Sequence, residues 1–206
     1  MVPDSLLNLN GDMMVVVDVE TSGRIAGWHE ILQIAVLPLD SEIEASKVHK
    51  PFYIHVAPEY PERVEPGAVK VNGLSAEWLE SHGVAQDRSV DLFEEWFKAL
   101  DLPFGKRLCP IAHNWAFEKG FLTNWMGLEG FDSIFHPHSR DTQRVASFLN
   151  DAAGYHGLKI PFGSVSQHSL CGKFGIGNAN EHDALADCLA CSKLYRALIR
   201  SLGSSQ

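Results

Sequence analysis

Met13-Met-Val-Val-Val-Asp-Val-Glu-Thr21 is the stretch on which the reading of this chain turns. It is rich in β-branched valine and bounded by Gly11-Asp12 and Ser22-Gly23, which predicts a mostly buried strand at the centre of a sheet. Asp18 and Glu20 interrupt the apolar run two residues apart. The two-residue period of a strand turns both side chains to one face, with Cα atoms about 6.6 Å apart at ~3.3 Å per residue. A charge at the end of a buried strand is costly unless it is paired or holds a metal. Taken alone, the Asp-x-Glu reads equally well as one arm of a cation site or as half of a structural ion pair.

Working outward, Glu30–Leu37, stopped by Pro38, reads as a second strand and the alternating Pro51–Val56 as a third, an antiparallel meander. Residues 57–67 carry Pro58, Pro61 and Pro66 and read as a loop, with short helices around 75–81 and 90–100. Arg107–His113 reads as a fourth strand despite Pro110, entering a helix over 116–126. An apolar run at Phe131–Phe135 reads as a fifth strand, followed by helices at 142–149, 166–174 and 183–202. Three strands followed by alternating strand and helix predict a mixed α/β sheet covered by helices. A single domain over 1–206 is expected, with its core at about 13–200 and a loose tail at 203–206.

Composition narrows the classes. With 206 residues, 45% hydrophobic and 21% charged, the chain is neither disordered, collagenous nor coiled coil. Seventeen Lys+Arg against 26 Asp+Glu leave a net charge of -9, which excludes a broad basic groove for nucleic acid but not a local grip. The N-terminal residues carry no signal-like pattern, and the apolar run at 13–17 is far below the roughly 20 residues that span a bilayer. A cytoplasmic protein without membrane contact is expected. Its four cysteines would stay reduced there.

Two later segments give the first acids company. His113-Asn-Trp-Ala-Phe-Glu118 sets an acid on the first turns of a helix leaving a strand, and His182-Asp-Ala-Leu-Ala-Asp187 sets a histidine and an acid at the start of the last helix. In order and spacing, Asp18-Val-Glu20-Thr21, His113-Asn114 through Glu118 and His182 through Asp187 resemble the three motifs of the DEDDh 3'-5' exonuclease superfamily, DnaQ-like and ribonuclease T-like. Glu30–Ala35, Ala68–Ser75 and Asp141-Thr142 add secondary points of similarity, so the resemblance runs from roughly residue 13 to 200. It implies a ribonuclease-H-like sheet of three antiparallel and two parallel strands. It also implies hydrolysis of terminal phosphodiester bonds of DNA, with RNA open as a second substrate, to nucleoside 5'-monophosphates. Two Mg²⁺ or Mn²⁺ ions would be held by Asp18, Glu20, Glu118 and Asp187, with His182 as general base. Hard cations of this kind take carboxylate oxygens. The implied partner is the 3' end of a nucleic acid, and the protein would be a monomer or a homodimer.

The chain departs from the family at Glu118, where aspartate is usual. The extra methylene leaves open a second reading, a catalytically weak module that binds nucleic acid or a polymerase. Thr21, Asn114, Trp115 and Arg24 are candidate substrate contacts. Arg24 stands where relatives often carry an apolar wedge and reads as a phosphate contact or as a surface arginine. Trp115 reads as a base-stacking platform or as packing at a helix start. Phe135–Arg140 reads as a basic rim or a solvated loop, and Lys193, Arg196 and Arg200 as a phosphate-facing or simply solvated helix face. Cys188-Leu-Ala-Cys191 lacks the flanking residues of a zinc deaminase, which leaves buried thiols or a structural zinc shared with Cys171.

Overall fold

In the computed structural model, which describes residues 5–178 and 180–203, β1 (Met13–Thr21) is the axis of the molecule. It pairs antiparallel with β2 (Ile31–Pro38), which pairs antiparallel with β3 (Phe52–His55). On its other side β1 runs parallel to β4 (Leu108–Ala112), and β4 parallel to the two-residue β5 (Arg140–Asp141), giving the order β3-β2-β1-β4-β5. The expected mixed sheet, three strands antiparallel and two parallel, is the one observed.

Among the described residues seven α-helices cover it: α1 (Pro66–Asn72), α2 (Ala76–His82), α3 (Gln86–Ala99), α4 (Trp115–Ile134), α5 (Thr142–Tyr155), α6 (Gln167–Lys173) and α7 (Ala184–Gly203). The alternation of β1 sorts its residues between two layers. Val15, Val17 and Val19 join Ile34 and Val36 against Phe93 of α3 and Trp115, Phe121 and Leu122 of α4. Met14 and Val16 join Ala35, Leu37 and Ile111 against Ala184, Cys188 and Cys191 of α7. Asp18 and Glu20 continue the second series, so they emerge on the α7 side.

Pro110 fits a strand with neighbours on both sides for a geometric reason. The Met13 N–H donates to Arg107 O (3.1 Å). Parallel alternation then turns the N–H groups of Cys109 and Ile111 toward β1 and the Pro110 nitrogen toward β5, which pairs with β4 only at Ile111 and Ala112.

Two expectations are corrected. Phe131–Phe135 is not a strand. α4 runs on past a break at Gly127 (φ 75°, ψ 159°), and Phe131, Ile134 and Phe135 turn inward on Trp115 and Phe93. A short apolar run fits a buried helix turn as well as a strand, and the two glycines at 127 and 130 concealed the continuation. The fifth strand is Arg140–Asp141 instead. Residues 66 and 67, read as the end of a loop, belong to helix α1, which Pro66 begins and Gly73 closes at φ 74°. Gly203 closes α7, and the remainder of the expected tail, 204–206, lies outside the described residues.

Candidate active site

The carboxyl end of β1 brings two acids to the mouth of a cleft of about 440 Å³, lined also by Arg24, His113, Asn114, Glu118, Gln167, His182 and Asp187. Its floor is set by the sheet. Glu20 lies opposite Gln33 on β2, and the register shifts between Glu20 and Thr21, where the strand turns away. The Thr21 hydroxyl donates to Gly23 O (2.6 Å), closing that turn. Gly23 is obligatory there: a Cβ would stand 2.4 Å from the His29 ring. His29 in turn accepts from the Ile25 N–H (3.0 Å) and faces Glu65 (3.2 Å), so the turn is locked and Arg24 is left exposed at the rim.

The second segment is held by Asp141. α4 begins at Asn114 in the left-handed region (φ 75°) and lacks a side-chain cap of its own. Asp141 supplies one, accepting from the N–H groups of Trp115 (3.1 Å) and Asn114 (3.3 Å) while also capping α5 through Gln143 and Arg144. The first turn of α4 carries Glu118 inward, 4% exposed, and its Oε2 is buried without a hydrogen-bond partner among the described residues.

The third segment is tied to the sheet through Gln33, whose Oε1 accepts from Ala184 N (2.7 Å) and whose amide donates to Asp183 Oδ2 (3.3 Å). Asp183 also accepts from the Tyr53 hydroxyl and caps α7 through Ala186 N (2.9 Å). His182, at φ 67° and exposed, precedes that cap. Glu20, His182 and Asp187 each offer a ligand atom within 4.8 Å of the others, the sole such cluster of His, Cys, Asp or Glu among the described residues.

Electrostatics set this cleft apart. Burial, then the charges of Glu118, Glu20 and Asp187, push the Asp18 carboxyl well above the usual range. Burial and Asp187 push Glu20 up to about 8, against a hydrogen bond from Asn72 that steadies its ionised form. Glu118 is raised by burial and by Asp141, and Asp187 by burial against the His182 N–H. Recessed carboxylates held above their usual range, one of them with an orphaned oxygen, match the donor set of a hard divalent cation, which would neutralise them together.

Asp18, Glu20, Glu118, His182 and Asp187 are therefore brought together, with Arg24 and Asn114 on the lining. Trp115 is not a platform: it is 7% exposed and packs on Phe131 and Phe135. Thr21 is buried, with its hydroxyl spent on the turn, and borders an adjoining cleft of about 690 Å³ that shares Val19, Glu20, Arg24, Asn114 and Phe117 with the first. Of the two readings of Phe135–Arg140, a basic rim and a solvated loop, the placement of its first residues speaks against the rim. Phe135 bridges Leu108 at the start of β4 and His136 faces Asp12 (3.6 Å), at the sheet end opposite the acids. Arg196 pairs with Glu44. Cys188 is buried with its thiol toward Val16 O and Ala35 O, as expected of a packed thiol. Gln33, Asn72 and Asp183 lie within segments that resemble the family but were not singled out as site residues, whereas Gln167 and Asn178 lie outside every such segment and join the site only through the fold.

The family model described as Exonuclease matches residues 15–195. The chain belongs to this exonuclease family. Among its relatives, ribonuclease T of Shewanella sp. (strain W3-18-1) is 28% identical over 190 residues, covering 90% of this chain and 80% of the relative. Ribonuclease T of Shewanella baltica (strain OS155) is 28% identical over 201 residues, covering 94% and 85%. Solved structures share the exonuclease fold. Exonuclease I of E. coli in complex with a dT13 oligonucleotide superposes with a TM-score of 0.68 at 20% identity over 92% of this chain. Cell-death related nuclease 4 gives 0.69 at 17% over 91%. The chain spans only 42% of that exonuclease I and 64% of the cell-death nuclease.

Proposed function

We propose that this protein is a divalent-metal-dependent 3'-5' exonuclease that removes nucleoside 5'-monophosphates from single-stranded nucleic acid, DNA first and RNA second. Asp18, Glu20, Glu118 and Asp187 would hold the cations. The observation that carries this reading is the orphaned Oε2 of Glu118, buried in the same cleft as Asp18, Glu20 and Asp187, with Asp18 pushed up by burial and by the charges of the other three. Burying an unpartnered carboxylate costs several kcal/mol unless a cation or a proton completes it.

Bound divalent cations supply Lewis-acid stabilisation of the phosphoryl oxygens and make water a better nucleophile near neutral pH. The residues supply the remainder. His182 takes the proton of the attacking water, as an exposed imidazole at the cleft mouth is able to do. Its backbone N–H donates to Asp187 Oδ2 (2.9 Å), so base and acid are held in one geometry. Arg24 on the rim meets the backbone phosphate, and the adjoining cleft, walled by Val19, Ala68, Val71 and Phe117, receives the terminal nucleoside. With a net charge of -9, such a protein holds its substrate locally, by metal and rim rather than by a basic field.

A 5'-labelled oligonucleotide tests this, offered as single-stranded DNA, duplex DNA and RNA with Mn²⁺ or Mg²⁺, and with EDTA. A ladder shortening from the 3' end, abolished by EDTA and by Asp18→Asn, is expected. Binding without shortening of any substrate would make the protein a recognition module instead.

A further inference from the structure

The Asp187 carboxylate is more fully dressed than the other acids of the cleft. Gln167 Nε2, on the first turn of α6, donates to Asp187 Oδ1 (3.0 Å) and lies 3.4 Å from Asp187 O. Asn178 Nδ2, on the loop between α6 and α7, donates to the same Oδ1 (2.8 Å). Among the described residues, Oδ2 accepts only the His182 N–H (2.9 Å). A carboxylate offers about two lone-pair positions on each oxygen. With the partners among the described residues, Oδ1 is therefore filled, and one position remains, on Oδ2. The ion pair of His168 with Glu181 (2.7 Å) runs beside these contacts and ties α6 to the residue before His182.

We infer that Gln167 and Asn178 are positioning residues that reserve Asp187 Oδ2 for a divalent cation by occupying Oδ1. The inference rests on the proposed metal-dependent function and deepens it. Without the two amides the carboxylate can rotate about its Cβ–Cγ bond and offer either oxygen, so metal binding must first select one orientation. Partners that orient a metal ligand in this way are typically worth about 10- to 100-fold in metal affinity. Both residues sit part-exposed at the cleft edge, outside the clusters that hold the sheet and helices together. Removing their amides therefore disturbs little packing.

The test is calorimetric titration of Mn²⁺ into the wild-type chain, Gln167→Met, Asn178→Leu and the double variant, substitutions that keep side-chain volume and delete the donor. Affinity is expected to fall about 10- to 100-fold in the double variant, with the single variants between. The Mn²⁺ concentration for half-maximal cleavage should rise by the same factor, while the oligonucleotide KM at saturating Mn²⁺ stays unchanged. A double variant that melts like wild type in EDTA and binds Mn²⁺ undiminished overturns the inference. If the double variant does not fold, the same criterion applies to the single variants. A wild-type chain that binds no Mn²⁺ overturns the functional reading itself.

Discussion

β1 has a recessed acid close to either end, and the two differ in what has gathered around them. Asp12, just before the strand, is 3% exposed and accepts from the Asn8 side chain (3.1 Å) and the Arg107 N–H (3.1 Å), with His136 alongside. Asp18, near the other end, faces Glu20, Glu118, Asp187 and Asp183. Donors converge on the first and acids on the second. A buried carboxylate surrounded by donors is a strut, because its desolvation is offset by hydrogen bonds within the fold. One surrounded by carboxylates is unfinished until something cationic arrives.

The sharpest way to break this contrast is to neutralise both acids in turn. Asp18→Asn should lower cleavage by about a thousandfold, ~4 kcal/mol of barrier. It should also raise the melting temperature in EDTA, because one member of a repelling cluster is gone. A variant that loses stability along with activity would place Asp18 among the struts. Asp12→Ala should do the reverse. Urea denaturation is expected to show a loss of about 2–3 kcal/mol, since the Arg107 N–H and Asn8 amide lose a charged acceptor. Cleavage per folded molecule should be unchanged.

The first segment shows how much of this is legible in the sequence. Period two alone puts Asp18 and Glu20 on one face, because a strand's alternation is a local property. The aromatic run 131–135 misleads because a few apolar residues without a period fit either a helix turn or a strand. Trp115 lies in a motif but points into the core, a choice made by Phe131 and Phe135 rather than by its neighbours in sequence. Gln33 lies in a strand that resembles the family's, yet its tie to the last helix is not local, since the backbone N–H it accepts lies 151 residues away. Gln167 likewise meets Asp187 only because α6 folds back beside α7.

Acidity sharpens the comparison further. Glu20 titrates in the fold at about 8 rather than at its ordinary 4.5, so the folded chain holds that proton more tightly than the unfolded one. Metal-free stability should be greatest below about 4.5 as far as this group is concerned, and decline as pH rises through 8. Melting in EDTA across that range should show the decline, by a few degrees, and Mn²⁺ should stabilise more at pH 8 than at pH 5.5 because it competes with fewer protons. Equal stabilisation at both pH values would mean that the cleft acids are ionised throughout. The smallest expected effect is at the rim. Arg24→Ala should raise the oligonucleotide KM about two- to fivefold, up to ~1 kcal/mol, and leave kcat unaltered, as a solvent-exposed phosphate contact would.

The sheet also tapers. Its nine- and eight-residue strands lie inside, while β3 offers four residues at one margin and β5 only two at the other, next to a proline whose nitrogen faces that side. Little unpaired backbone is therefore on display to template a further strand from another molecule. Should two copies of this chain meet, they would have to do so through side chains on helices and loops. The same taper guards a sheet this rich in valine and isoleucine against the edge-to-edge stacking from which fibrils grow.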